Sequence, residues 1–128
     1  MDRPLIEVTK VFTFDSAHNL EQYHGKCESL HGHTYKLEIT VKGPVDDEGM
    51  VIDFLELKNI VDKKIINKVD HQYLNKVFPF NTTCENIITW IWETLEKEFK
   101  DRSCWLERVK LWETPTNYAV LSKSDKNE

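Results

Sequence analysis

Between Leu5 and Phe14 apolar and polar positions alternate. Ile6, Val8, Phe12 and Phe14 fall on one side and Glu7, Thr9 and Thr13 mostly on the other, which predicts a β-strand with a slight break at Lys10 and Val11. The alternation is cleanest from Thr34 to Lys42, where Tyr35, Leu37, Ile39 and Val41 face one way and Lys36, Glu38, Thr40 and Lys42 the other. Gly43-Pro44 and Asp46 to Gly49 mark a turn. The period then changes: Asp53 and Glu56 form a capping-box pattern, and Leu57, Ile60, Val61 and Ile65 recur at helical spacing, which predicts a helix ending near Asn67. Residues 70–79 read as a connection. Thr82-x-x-Glu85 is a second capping-box pattern, ahead of Ile88, Ile91, Trp92, Leu95 and Phe99 in a second helix. Alternation returns from Trp105 to Glu113, and Thr114-Pro115-Thr116-Asn117 turns the chain into a last strand, Tyr118 to Ser122. The order ββααββ predicts an α+β fold, a four-stranded antiparallel sheet with two helices on one face.

Composition narrows the class. The 128 residues suit a single domain with a real core, and 40% hydrophobic with 30% charged residues is a globular balance. No apolar run approaches the roughly 20 residues of a membrane span, and the acidic start at Asp2 does not resemble an export signal, so the expected location is cytoplasmic. Net charge is −5 with the basic residues dispersed, which disfavours a nucleic-acid partner. Cys27, Cys84 and Cys104 are an odd set, an argument against a disulfide framework.

Four of the five histidines, His18, His24, His31 and His33, fall within sixteen positions that also contain Cys27. In an extended segment, residues two apart project the same way, so His31 and His33 can reach one ion. His18 joins them if the first two strands are antiparallel neighbours. Three neutral imidazoles leave one tetrahedral position free, the arrangement of a catalytic zinc, although imidazole also suits copper, iron or nickel. Cys27 is either a fourth ligand closing a structural site or a thiol that transfers protons. Asp70-His71 pairs a carboxylate with an imidazole, a way to build a general acid or base, or else is a solvated turn. Glu113 ends a strand where its carboxylate either simply meets water or can accept two hydrogen bonds from an amino-pyrimidinone edge. Glu85 and Asp53 compete with capping roles.

These residues, taken in order, resemble the 6-pyruvoyltetrahydropterin synthases and the 6-carboxytetrahydropterin synthases of queuosine biosynthesis. The matching stretches are Phe14-Asp15-Ser16-Ala17-His18, Gly25-Lys26-Cys27, residues 30–35, residues 49–54, Asp70-His71, Thr83-Cys84-Glu85-Asn86 and Glu113-Thr114-Pro115-Thr116, almost the whole chain. The resemblance implies zinc on His18, His31 and His33, proton transfer by Cys27 and by Asp70 with His71, and pterin contacts from Glu113, with Thr83 and Glu85 in the neighbouring motif. It also implies a tunnelling fold, with trimers closing their sheets into a barrel and stacking as a homohexamer with pockets between subunits; unpaired sheet edges are a compatible reason. Cys27 stands four positions before His31, as in the queuosine-type enzymes. The implied reaction is therefore 7,8-dihydroneopterin triphosphate to 6-carboxy-5,6,7,8-tetrahydropterin, acetaldehyde and triphosphate. Glu28 matches a folate-linked branch that leaves 6-hydroxymethyl-7,8-dihydropterin, so a second activity or that one alone is an alternative, as is pyruvoyl synthesis. The non-enzymatic alternative is a zinc-stabilised pterin-binding module.

Overall fold

The fourteen residues of β1 (Leu5–His18) run antiparallel to the fourteen of β2 (His31–Pro44) without a break, from Leu5 opposite Pro44 to His18 opposite His31. Both strands therefore extend beyond the alternating stretches, because backbone pairing carries them through the histidines. This computed structural model describes residues 3–21, 23–26 and 28–125; Cys27 lies outside the described residues.

β4 (Trp105–Thr114) pairs antiparallel with β2, and β5 (Asn117–Ser122) with β4, as the alternation predicts. The expected four-stranded antiparallel sheet is nevertheless corrected by the structure to five strands of mixed direction. β3 (Gln72–Tyr73) joins the free edge of β1 in parallel, giving the order β3-β1-β2-β4-β5. Two residues carry no readable period. They are drawn in by tertiary bonds: the His71 N–H donates to the Asp15 carbonyl at 2.6 Å, and the Asp15 N–H to Asp70 Oδ1 at 3.0 Å.

The two expected helices are also subdivided. The first is α1 (Phe54–Val61), a π-helical turn (Asp62–Ile66) and α2 (Asn67–Val69), while the connection beyond it contains the short α3 (Leu74–Val77). Asp53 caps α1 by accepting from the Leu55 N–H at 2.8 Å, whereas Glu56 pairs with Arg102 and so does not complete the box. α4 (Cys84–Glu96) starts one residue later than the Thr82 pattern predicts. Thr83 is its cap, accepting from the Asn86 N–H at 3.1 Å, and Thr82 is fully buried.

One face of the sheet, carrying Phe12, Phe14, Tyr35, Leu37, Ile39, Val109 and Leu111, forms a single core with Leu57, Val61, Ile65, Ile91, Trp92 and Leu95 of the helical segments. Burial of such side chains supplies the main driving force, about 1.5–3 kcal/mol each. The other face is polar, with Arg108 bonded to Glu7 and Trp112 to Glu38. Gly43 is needed at the end of β2, because a Cβ there would lie 2.9 Å from both Cα and Cβ of Cys104. Cys84 and Cys104 are free thiols. Among the described residues no helix is long and apolar enough to cross a membrane.

Candidate metal centre and adjoining pocket

The β1–β2 register brings the three predicted imidazoles together. His18 lies directly opposite His31, and His33 opposite Ser16, all on the core-side face. Ring centroids are 4.8 Å apart for His18 and His31, 5.1 Å for His18 and His33, and 4.7 Å for His31 and His33. One potential ligand atom from each lies within 4.8 Å of the others, a set that can hold a metal ion.

The remaining ring atoms fix the tautomers. His18 Nδ1–H donates to the Thr82 carbonyl at 2.9 Å, with Thr82 Oγ1 at 3.1 Å, and His31 Nδ1–H donates to the Ser29 carbonyl at 2.9 Å. Each bond leaves the lone pair on Nε2, as a metal ligand requires. His18 Nε2 and His33 Nε2 are buried and have no hydrogen-bond partner. Burial lowers the His33 pKa, opposed by the Glu113 carboxylate, with the His18 and His31 imidazoles lowering it further. Buried, unpartnered ring nitrogens turned towards one another fit a cation.

Thr82 is the residue the sequence pattern misplaced, its capping-box position hiding its contact with His18. It is supported in turn by Asn75, whose Oδ1 accepts from Thr82 Oγ1 and from the Asn19 N–H, while Asn75 Nδ2 donates to the Asn19 carbonyl. The chain leaving β1 is thus bound to α3. Nothing in the local pattern around Asn75 marks this role.

Glu113, at the far end of β4, places Oε2 3.9 Å from His18 Nε2. It lines a cavity of about 280 Å³ with Cys84, Glu85, Asn117, Tyr118 and Ala119. Cys84 Sγ–H donates to the Leu111 carbonyl at 3.4 Å, and its pKa is pushed up to about 12 by burial and then by Glu113 and Glu85. It therefore remains a thiol at neutral pH. Thr83 has its hydroxyl committed to the α4 cap, whereas Glu85 faces the Glu113 cavity.

Glu28 closes the loop between β1 and β2: its Oε1 accepts from the Leu20 N–H at 3.0 Å and lies 3.8 Å from His31 Nδ1. Asp70 and His71 do touch, at 3.1 Å between Oδ2 and Nδ1. His71 adopts φ of +58°, a region costly for a residue with a Cβ, stabilised by its backbone bond to Asp15. The Asp15 N–H, then His71, holds the Asp70 carboxyl below its ordinary range. This pair groups with exposed Asp15, which is out of phase with buried Ser16 and His18. His71 lines a cavity of about 570 Å³ with His33 and Thr34 but is not gathered with the three imidazoles.

A mixed α+β sheet brings three imidazoles together at the ends of its central strands, a set that can hold a metal ion, beside a carboxylate-lined pocket. Comparison with known proteins gives the family. The family model for 6-pyruvoyl tetrahydropterin synthase matches residues 7–124, and the chain belongs to that family. A 6-carboxy-5,6,7,8-tetrahydropterin synthase of Haemophilus influenzae is 36% identical, covering 89% of this chain and 96% of the relative. A dihydroneopterin monophosphate aldolase of Pyrococcus furiosus is 42% identical, over 79% of this chain and 83% of its own. The solved structure of a Caenorhabditis elegans 6-pyruvoyl tetrahydropterin synthase superposes with a TM-score of 0.80 at 28% identity, covering 95% and 99% of the two chains.

Proposed function

We propose that this chain is a zinc-dependent enzyme that converts 7,8-dihydroneopterin triphosphate to 6-carboxy-5,6,7,8-tetrahydropterin, acetaldehyde and triphosphate. The observation that carries the reading is the set of three converging imidazoles, two of them, His18 and His33, with buried and unpartnered Nε2 atoms, with Glu113 beside His18. His18, His31 and His33 would hold the ion, which supplies Lewis-acid stabilisation of charge developing on side-chain oxygens, worth several kcal/mol. Three uncharged nitrogen donors suit zinc with one position left for a ligand.

Glu113 accepts hydrogen bonds from the pterin ring edge, which sets the side chain against the imidazoles; Glu85 lines that pocket, and Thr83, the cap of α4, adjoins it in the chain. Cys27 and His71 move protons on the two sides of the side chain, with Asp70 holding His71 in one tautomer; each transfer contributes on the order of a hundredfold or more. In a hexamer of two trimers, a neighbouring copy would complete the pocket, since within one chain Asp70 and His71 group with Asp15 and not with His18.

A second reading is cleavage to 6-hydroxymethyl-7,8-dihydropterin, with Glu28 as base. It is favoured by Glu28 lying near His31 and by the similarity to the aldolase of Pyrococcus furiosus. Incubating zinc-loaded protein with dihydroneopterin triphosphate and identifying the product separates these outcomes from pyruvoyl synthesis. No turnover at full zinc occupancy would leave a pterin-binding module as the better account.

A further inference from the structure

Among the described residues three buried side-chain polar atoms lack a hydrogen-bond partner: His18 Nε2, His33 Nε2 and the hydroxyl of Tyr35. The three rings form one group. Tyr35 meets His33 edge-on at 5.6 Å between centroids and His18 at 6.3 Å, and its own ring stacks on Phe14 at 4.8 Å. Tyr35 lies opposite Phe14 on β1, and continuing the β2–β4 register past Lys36 and Trp112 brings it alongside Glu113 on the other flank. It therefore stands on the central strand between the imidazoles and the carboxylate pocket. A phenol is a hydrogen-bond donor at neutral pH.

Native proteins rarely bury a hydroxyl without a partner. Here the phenol could have been phenylalanine at no loss of packing, since the ring alone makes the stack on Phe14. Two of the three orphaned atoms are accounted for by the metal ion the imidazoles would hold, and the third, enclosed to the same degree in the same cluster, calls for an acceptor of its own.

We propose that Tyr35 is a positioning residue, its hydroxyl donating a hydrogen bond to a substrate side-chain oxygen held beside the imidazoles and Glu113. This rests on the pterin reading above. The phenol would orient that oxygen without exchanging a proton with it.

The test is Tyr35→Phe, compared with wild type as the assembled, zinc-loaded protein. Three quantities are read: zinc content, binding of 7,8-dihydroneopterin by fluorescence titration, and turnover of its triphosphate. The melting temperature of the metal-free forms is the structural control. Expected are equal zinc content, an unchanged or higher metal-free melting temperature, and dihydroneopterin affinity and kcat/KM each lower by about tenfold, the scale of one lost neutral hydrogen bond. Unchanged affinity and kcat/KM would overturn the proposal, and so would a loss of affinity accompanied by a lower metal-free melting temperature, since the hydroxyl would then be structural. Absence of turnover by wild type, with the probe still bound, would overturn the enzymatic reading and leave Tyr35 to be decided by the affinities.

Discussion

Replacing His31 with alanine separates metal binding from folding better than removing either of its companions. His18 is 1% exposed and bonded to Thr82, so its loss would combine a missing ligand with a cavity and an unpaired carbonyl. The side chain of His31 is 35% exposed and, among the described residues, makes one bond, to the Ser29 carbonyl at a surface where water can replace it. Its removal should cost the metal-free protein about 1 kcal/mol or less. In wild type, zinc at a hundred times its dissociation constant stabilises the folded state by about 2.7 kcal/mol. At roughly 3–5 °C per kcal/mol for a domain of this size, that raises the melting temperature by about 10 °C. His31→Ala leaves two imidazoles, too few for tight binding. Differential scanning calorimetry at fixed protein concentration, with and without zinc, should show the metal-dependent rise in wild type and almost none in the variant, while the metal-free curves differ by no more than about 5 °C. A variant that keeps both the full rise and one zinc per chain would refute the three-imidazole site.

Cys27→Ala should retain zinc, measured by metal analysis, and lose formation of carboxypterin; release of the metal would make the thiol a ligand instead. Thr82→Val removes one of the two oxygens holding His18 Nδ1, and zinc affinity measured against a competing chelator should weaken by about tenfold, the lower end for such supporting contacts; an unchanged constant would count against orientation by that hydroxyl. Burial holds the folded His33 pKa below 6.5, its ordinary value, so the unfolded chain protonates first. The metal-free protein should therefore lose stability as pH falls below about 6.5, until the lowered folded value is passed, and His33→Gln should flatten that slope in urea titrations across pH. An identical slope in the variant would remove His33 as the cause.

The histidine centre was largely legible because its geometry is local or follows from one pairing. His31 and His33 share a face by the period of two, and His18 joins them once two alternating segments are taken as antiparallel neighbours. The carboxylates were harder to read. Glu113 could be matched to a motif, but its approach to His18 spans the sheet from β4 to β1 over the intervening β2, a distance that no spacing encodes. Thr82 shows how a local rule can mislead: it satisfies a capping-box pattern one residue early, yet packing assigns the cap to Thr83 and turns Thr82 towards His18. Tyr35 read only as a core position, since alternation reports which face a residue takes and not whether its polar tip finds a partner.

Alternation and helical spacing by themselves determined the α+β class, the main strands, the apolar face and the pairing of His31 with His33, because side-chain periodicity is a property of the backbone repeat. Tertiary structure alone decided the parallel edge strand β3, the seating of Asp70 and His71 against Asp15, and the shell of Thr82, Asn75 and Glu113 around His18. Those contacts join residues tens of positions apart through single hydrogen bonds or ion pairs, which leave no repeat in the chain and form only when the sheet and helices have closed on a common core.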